Sequence, residues 1–276
     1  MNFRRLSFTG SLYLAATALV GLCGLPLLWM LYTSLKPASD LFSYPPKLLG
    51  HYSLDNFHRL MSETYFMTYF KNSVLVAGVT VLLDIVVATL GAYSLTRYRY
   101  YGKDFLANLT LFTYMFAPIM IIIPVYILLK GINLTNSHLG IILAYTSISL
   151  PFTLWLLRAF FQSFPEELEQ AALIDGANRF QSLIYVVLPE ALPGIIATSV
   201  FAFVVVWNDY LFARVLLSQP LLQTMPVGLQ NMYESTVVDW GLLMSGAVIV
   251  TIPAIIFFLI VQRFLIQGWG MGAVKG

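Results

Sequence analysis

The chain has 276 residues, 59% hydrophobic and 10% charged, with a mean hydropathy of +0.79, whereas soluble globular domains carry about 25% charged residues. That composition argues against a soluble enzyme. With 15 Lys and Arg against 13 Asp and Glu the net charge is +2, too balanced for a nucleic-acid or polybasic surface binder. The single cysteine, Cys23, excludes an internal disulfide and a cysteine-based zinc site.

The apolar excess is gathered into runs. Leu12 to Leu35 holds no charged residue before its end, and at ~1.5 Å per residue it is long enough to cross a ~30 Å hydrocarbon layer. Five more runs follow, Ser73 to Leu95, Phe105 to Leu129, Leu139 to Leu157, Ile195 to Leu217 and Trp240 to Gln262. The expectation is an all-α integral membrane protein of one domain, residues 1–276, with six transmembrane helices. An external loop covers 36–72, a cytoplasmic loop 158–190 between helices 4 and 5, and a tail 263–276. A cleaved signal is the competing reading of the first run, because Arg4 and Arg5 precede it, but a signal core is about 7–15 residues and this run is about twice that. Nine basic residues fall on the side of the N-terminus and five on the other, with Arg97, Arg99 and Lys103 in one short loop. That bias predicts both termini inside.

Within the external loop, Ser53-Leu54-Asp55-Asn56-Phe57-His58-Arg59-Leu60-Met61 reads as a short amphipathic helix capped by Ser53, with Leu54, Phe57, Leu60 and Met61 on one face. It is read as a surface cap; contact with an external partner is the other reading. His51 and His58 lack carboxylates in a ligand pattern, so no metal site is expected.

The cytoplasmic loop opens with Ser163-Phe164-Pro165-Glu166, a capping signal, and continues as a helix through Glu167, Leu168, Glu169, Gln170, Ala171, Ala172 and Leu173. Asp175-Gly176 ends it, the glycine supplying a left-handed turn. A second helix carries Phe180, Leu183, Ile184 and Val187 at the spacing of one face until Pro189 stops it. Such a helix-turn-helix either docks into a groove on another protein or packs on the chain's own helices.

Glu169-Gln170-Ala171-Ala172-Leu173-Ile174-Asp175-Gly176-Ala177, followed by Leu188-Pro189, resembles the EAA loop of bacterial ABC importer permeases. Trp207-Asn208-Asp209-Tyr210, Met225-Pro226-Val227-Gly228-Leu229 and the terminal Gly272-Ala273-Val274-Lys275-Gly276 narrow the likeness to the second, G-type permease subunit of carbohydrate importers of the maltose transporter type. The resemblance implies a bacterial inner-membrane, multi-pass subunit whose EAA loop is a coupling helix seated in a cleft of a cytoplasmic ATPase. Glu167, Glu169, Gln170, Ala171, Ala172, Asp175, Gly176, Ala177, Leu188 and Pro189 would carry the coupling. It further implies a paired F-type permease, two copies of the ATPase holding ATP and Mg, and an external solute-binding protein, with Gly272, Val274, Lys275 and Gly276 reaching toward the ATPase. One departure stands out: the family's EAA glutamate is Gln170 here, which keeps a hydrogen bond but not a charge, so Glu167 and Glu169 become candidates to replace it. No phosphate-cradling Gly-x-x-x-x-Gly-Lys run occurs, so this chain binds no nucleotide or other cofactor of its own.

Ionisable groups inside membrane helices are costly and count as functional candidates. Asp84 sits mid-helix in Leu82-Leu83-Asp84-Ile85-Val86, either a proton-coupling acid or a hydrogen-bonded structural one. Asn208, Asp209 and Tyr210 offer donors, acceptors and aromatic area suited to a sugar passage, with Tyr114, Tyr126 and Tyr145 as further aromatic candidates. Pro118, Pro124, Pro151 and Pro253 fall inside predicted spans and bend them. Two other classes compete with the ATP-driven permease, namely a self-contained secondary transporter or channel and an integral membrane enzyme. The scattered histidines His51, His58 and His138 give the enzyme little to work with.

Overall fold

The computed structural model describes residues 3–41, 43–44 and 52–272, with side chains described at 12–37, 40–41, 43–44 and 52–262. Secondary structure among these residues is entirely helical. In chain order the helices are α1 (Phe3–Ser34), α2 (Ala38–Leu41), α3 (Asp55–Glu63), α4 (Phe66–Arg97), α5 (Lys103–Tyr114), α6 (Pro118–Gly131), α7 (His138–Ser163), α8 (Glu166–Ile174) and α9 (Arg179–Ser182). A π-helical turn, Leu183–Val187, then leads to α10 (Leu188–Glu190), α11 (Leu192–Asn208), α12 (Leu211–Leu216), a 3-10 turn at Pro220–Leu222, α13 (Met225–Tyr233) and α14 (Trp240–Gly272). Four of the described helices are long and apolar enough to cross a membrane, and counting each of two bent pairs as one span makes six.

Both bent pairs have a local cause. The run 105–129, expected as one span bent at its prolines, is divided into α5 and α6, which meet at 103°. Pro118 opens α6 and holds Ala117 in an extended conformation (φ −61, ψ 132), as the residue before a proline prefers. At the second, the segment Arg179–Glu190 and α11 meet at 77°. Pro189 does not stop the helix where expected: it occupies the first turn of α10, and the bend falls at Ala191, just before Pro193. The predicted run 195–217 is also interrupted, because α11 ends at Asn208 and Asp209 is extended (φ −71, ψ 125). The Asp209 carboxylate accepts the backbone N–H groups of Phe212 (2.9 Å) and Ala213 (3.4 Å), so it caps α12. Pro124, Pro151 and Pro253 remain inside α6, α7 and α14.

The chain divides into two compact units, Met1–Met67 with Gly228–Pro253 and Thr68–Val227 with Ala254–Gly276. In the first, Asn56 of α3 is buried and its amide donates to the carbonyls of Ser34 (2.9 Å) and Lys36 (2.7 Å), satisfying the open end of α1. Arg59 pairs with Asp239 at 3.0 Å. The buried face of α3 is therefore Asn56 and Leu60, whereas Leu54 and Met61, expected on the packed face, are exposed. Ser53 does not cap α3 as predicted; its hydroxyl accepts the N–H of Asp55, and Leu54 occupies the cap position.

In the second unit a core cluster joins Ala88, Ala92 and Leu95 of α4 to Leu154, Leu157 and Phe161 of α7 and to Leu183 and Val187 of the π turn. Small residues set the spacing. A Cβ at Gly91 would lie 2.8 Å from Leu154, and one at Gly194 2.5 Å from the Phe160 ring. On the rim, Asn72 donates to the carbonyls of Leu221 and Gln223, both at 2.9 Å. The carboxamide oxygen of Asn136 accepts from the backbones of Ser218 and Gln219, both at 3.0 Å.

Two outcomes follow from this packing. Asn56→Leu removes the amide donor to the Lys36 carbonyl and leaves the Ser34 carbonyl with the longer bond from the Ser245 hydroxyl (3.4 Å), and should destabilise the protein by about 2 kcal/mol, read as a lowered Tm of the detergent-solubilised chain. Gly194→Val forces apart α11 and Phe160 and should cost about 1–3 kcal/mol in the same assay.

Candidate functional site

The segment from Ser163 to Glu190 forms the expected helix-turn-helix, with different local devices. Ser163 belongs to α7, its hydroxyl donating to the Phe160 carbonyl at 2.7 Å, so it does not cap α8. The residue before α8 is Pro165, which offers no side-chain cap. The turn is built as predicted by Gly176 (φ 93), with the Ala177 N–H donating to the Ala172 carbonyl at 3.0 Å. A capping box not foreseen from the sequence starts α9: Asn178 Oδ1 accepts from the Gln181 N–H and Gln181 Oε1 from the Asn178 N–H, both at 2.8 Å.

The second helix does not present one apolar face. Leu183 and Val187 turn into the core cluster, while Phe180 and Ile184 are exposed, together with Leu168, Tyr185 and Ile174, the last at 86%. The loop thus has two sides, one packed on α4 and α7 and one free. Glu166, Glu167, Gln170, Ala171, Asp175, Gly176 and Pro189 lie on the exposed part, with Ala172, Ala177 and Leu188 half-buried.

Glu169 is the exception, and the structure corrects its expected role. Only 2% exposed, it cannot take over an outward charge from Gln170. Its carboxylate accepts a hydrogen bond from the Tyr93 hydroxyl, pairs with Arg97 Nε at 3.0 Å and accepts from an Arg179 guanidinium nitrogen at 3.2 Å. Arg97 in turn lies 3.5 Å from Glu166 and donates to the Phe164 carbonyl at 3.1 Å. Tyr98 meets the Tyr93 ring edge-on at 5.9 Å, and the Arg179 guanidinium lies 6.0 Å from the Tyr98 ring centre. The clustering of Arg97 was legible as an orientation signal, but nothing local tied it to a glutamate of another helix.

The remaining candidates separate by environment. Asp84 is fully buried, its carboxylate joined to the Ser149 hydroxyl of α7, which is the structural alternative of the two considered for it. Asp209 accepts the Tyr145 hydroxyl at 2.9 Å besides capping α12. Asn208 is exposed and Tyr210 half-buried. Tyr114 ends α5 beside Phe152 (5.0 Å) and Phe201 (6.2 Å). Gly272 closes α14, and Val274, Lys275 and Gly276 lie outside the described residues. No group of three or more His, Cys, Asp or Glu is placed to hold a metal among the described residues.

Among the described residues the chain is a helical protein with several helices apolar and long enough to cross a membrane and an exposed apolar helix-turn-helix. Its family is defined by comparison. The profile described as "Binding-protein-dependent transport system inner membrane component" matches residues 84–270, and the chain belongs to this family of ABC importer permeases. The trehalose transport system permease protein SugB of Mycobacterium tuberculosis is 34% identical over 263 residues, covering 94% of this chain and 95% of SugB. The sulfoquinovosyl glycerol transport system permease protein SmoH of Agrobacterium fabrum is 32% identical over 265 residues, 96% of this chain and 93% of SmoH. A chain from the crystal structure of a bacterial ABC transporter that imports the acidic polysaccharide alginate shares the fold, with a TM-score of 0.83 at 23% identity over 95% of this chain and 98% of that one.

Gly176 allows a test of the turn alone, because a Cβ there meets nothing within 4 Å. Gly176→Val should cost about 1–2 kcal/mol from the left-handed backbone and Gly176→Asn less, read as Tm shifts.

Proposed function

We propose that this chain is the G-type permease half of an ATP-driven importer of a sugar or sugar derivative, spanning the inner membrane six times with both termini inside. The bent pair α5–α6 supplies one span, and α11 with α12 another. The α8–α9 loop then lies in the cytoplasm as the coupling element, seated in one of two copies of a separate ATPase that binds ATP and Mg. An F-type permease completes the passage, and an external solute-binding protein delivers the sugar. The tail from Gly272 reaches toward the ATPase.

The observation that carries this reading is the two-sided loop. An apolar residue held in water on a short helix is disfavoured unless a partner covers it, and Ile174, Phe180 and Tyr185 are exposed beside Glu166 and Glu167. That mixture suits a groove with apolar walls and a basic rim. Gln170, exposed next to these residues, offers an amide where relatives of the resembled type offer a charge. For the substrate passage, Asn208, Tyr210 and Tyr114 are the candidate lining groups, because each retains accessible surface. Asp84 and Asp209 act behind them as helix ties. A sugar is favoured by the named substrates of the relatives.

Reconstituted with the F-type permease, the ATPase and the binding protein in liposomes, the chain should import sugar only when ATP is present; ATP-independent uptake by this chain alone would sink the reading. Ile174→Glu or Phe180→Glu should leave the fold intact and weaken ATPase binding by at least about tenfold, since burying such a side chain is worth about 1.5–3 kcal/mol. Gln170→Glu should bind the ATPase as well or better in the same pull-down.

A further inference from the structure

We propose that Glu169 is a positioning residue that fastens α8 to the C-terminal end of α4, so that force applied to the exposed side of α8 is delivered to α4. The inference rests on the reading of α8 as the ATPase-docking helix and adds the route by which its displacement enters the membrane helices. α8 has little apolar grip on the rest of the chain. Glu169 is its only buried residue, Ala172 and Leu173 are half-buried, and Leu168 and Ile174 point outward. What holds the helix is therefore directional.

Three side chains from two other elements converge on the one carboxylate. Tyr93 and Arg97 are one turn apart at the end of α4, and Arg179 opens α9. The Arg97 side chain is 5% exposed, and its second contact, the Phe164 carbonyl, lies at the end of α7. A buried ion pair with a hydrogen-bonded third partner resists displacement, because pulling it open strands a charge away from water. Arg97 and Arg179 are matched by Glu166 and Glu169, so the cluster carries no surplus charge.

α4 is suited to receive the load. It runs 32 residues, roughly 48 Å at the α-helical rise, and contains no proline, whereas α1, α7 and α14 each contain one. Midway along it, Asp84 is joined to Ser149 of α7. Without a proline kink such a helix can carry a displacement along its axis, and Tyr93 at its end and Asp84 at its centre are held by hydrogen bonds rather than by apolar contacts that can slip.

The test uses the purified, reconstituted transporter. Binding of the ATPase, ATP hydrolysis and sugar imported per ATP are measured for the wild type, Glu169→Gln, Arg97→Gln, the double variant and Tyr93→Phe. Glu169→Gln should bind the ATPase with wild-type stoichiometry and still hydrolyse ATP, while uptake per ATP falls by about tenfold, the size of change expected when a coupling network is cut. The double variant should lose no more than either single one, since both remove the same tie. Tyr93→Phe, which removes only an oxygen, should lower uptake per ATP about threefold and settles the matter if Glu169→Gln yields no folded complex. Unchanged uptake per ATP in Glu169→Gln, or in Tyr93→Phe where Glu169→Gln does not fold, overturns the clamp. So does loss of ATPase binding by Glu169→Gln alone, which would make Glu169 a partner contact. A wild-type chain that does not bind the ATPase defeats the docking reading itself, and the variants bear only on the clamp.

Discussion

Wherever the backbone leaves a helix in a membrane protein, its polar groups need partners that lipid cannot supply. The departures from regular helix are organised by that requirement. Asp209 takes up the free N–H groups where α12 begins. Asn56 supplies donors to the carbonyls of Ser34 and Lys36, Asn72 donates likewise to the carbonyls of Leu221 and Gln223, and the Asn136 carboxamide oxygen accepts the backbone N–H groups of Ser218 and Gln219. Short amide and carboxylate side chains suit the task because they reach backbone without demanding much volume. Breaks that would otherwise be unstable become fixed corners, and the corners give the helices their angles.

The α8–α9 loop applies the same economy to a charge. A carboxylate withdrawn from water needs compensation, and one oxygen of Glu169 accepts hydrogen bonds from a phenol and a guanidinium while the other faces Arg97 as an ion pair, the three partners lying on two other elements. The arrangement frees the apolar residues of the loop to remain outside. In a soluble single-chain protein Ile174 and Phe180 would be expected to turn inward and hold the loop down. Here the contacts of Glu169 tie the loop to α4, and Ile174 and Phe180 stay exposed.

The two aspartates inside predicted spans show how environment separates chemically identical groups. Both are bonded to side chains of α7, Asp84 to Ser149 and Asp209 to Tyr145. Asp84 ties two helices side by side, whereas Asp209 also closes a gap in the backbone. Asp84 is closed off from solvent by this packing, whereas Asp209 keeps some accessible surface.

Composition and hydropathy determined the class of fold, because the bilayer admits few solutions for an apolar chain with so few charges. The glycine turn and the order of the helix-turn-helix at 163–190 were also legible, since Asp175-Gly176 acts through its own backbone. The rest depended on contacts distant in sequence. Periodicity placed Phe180, Leu183, Ile184 and Val187 near one another but could not divide them, as the π turn and the position of α7 decided which pair was covered. Pro118 was visible as a bend but not as a 103° corner. Glu169 looked like one acid among several on an exposed helix, and its burial became apparent only with Tyr93, 76 residues earlier, brought against it. A side chain's charge is written in the sequence; whether that charge faces water, a partner or its own chain is set by the packing around it.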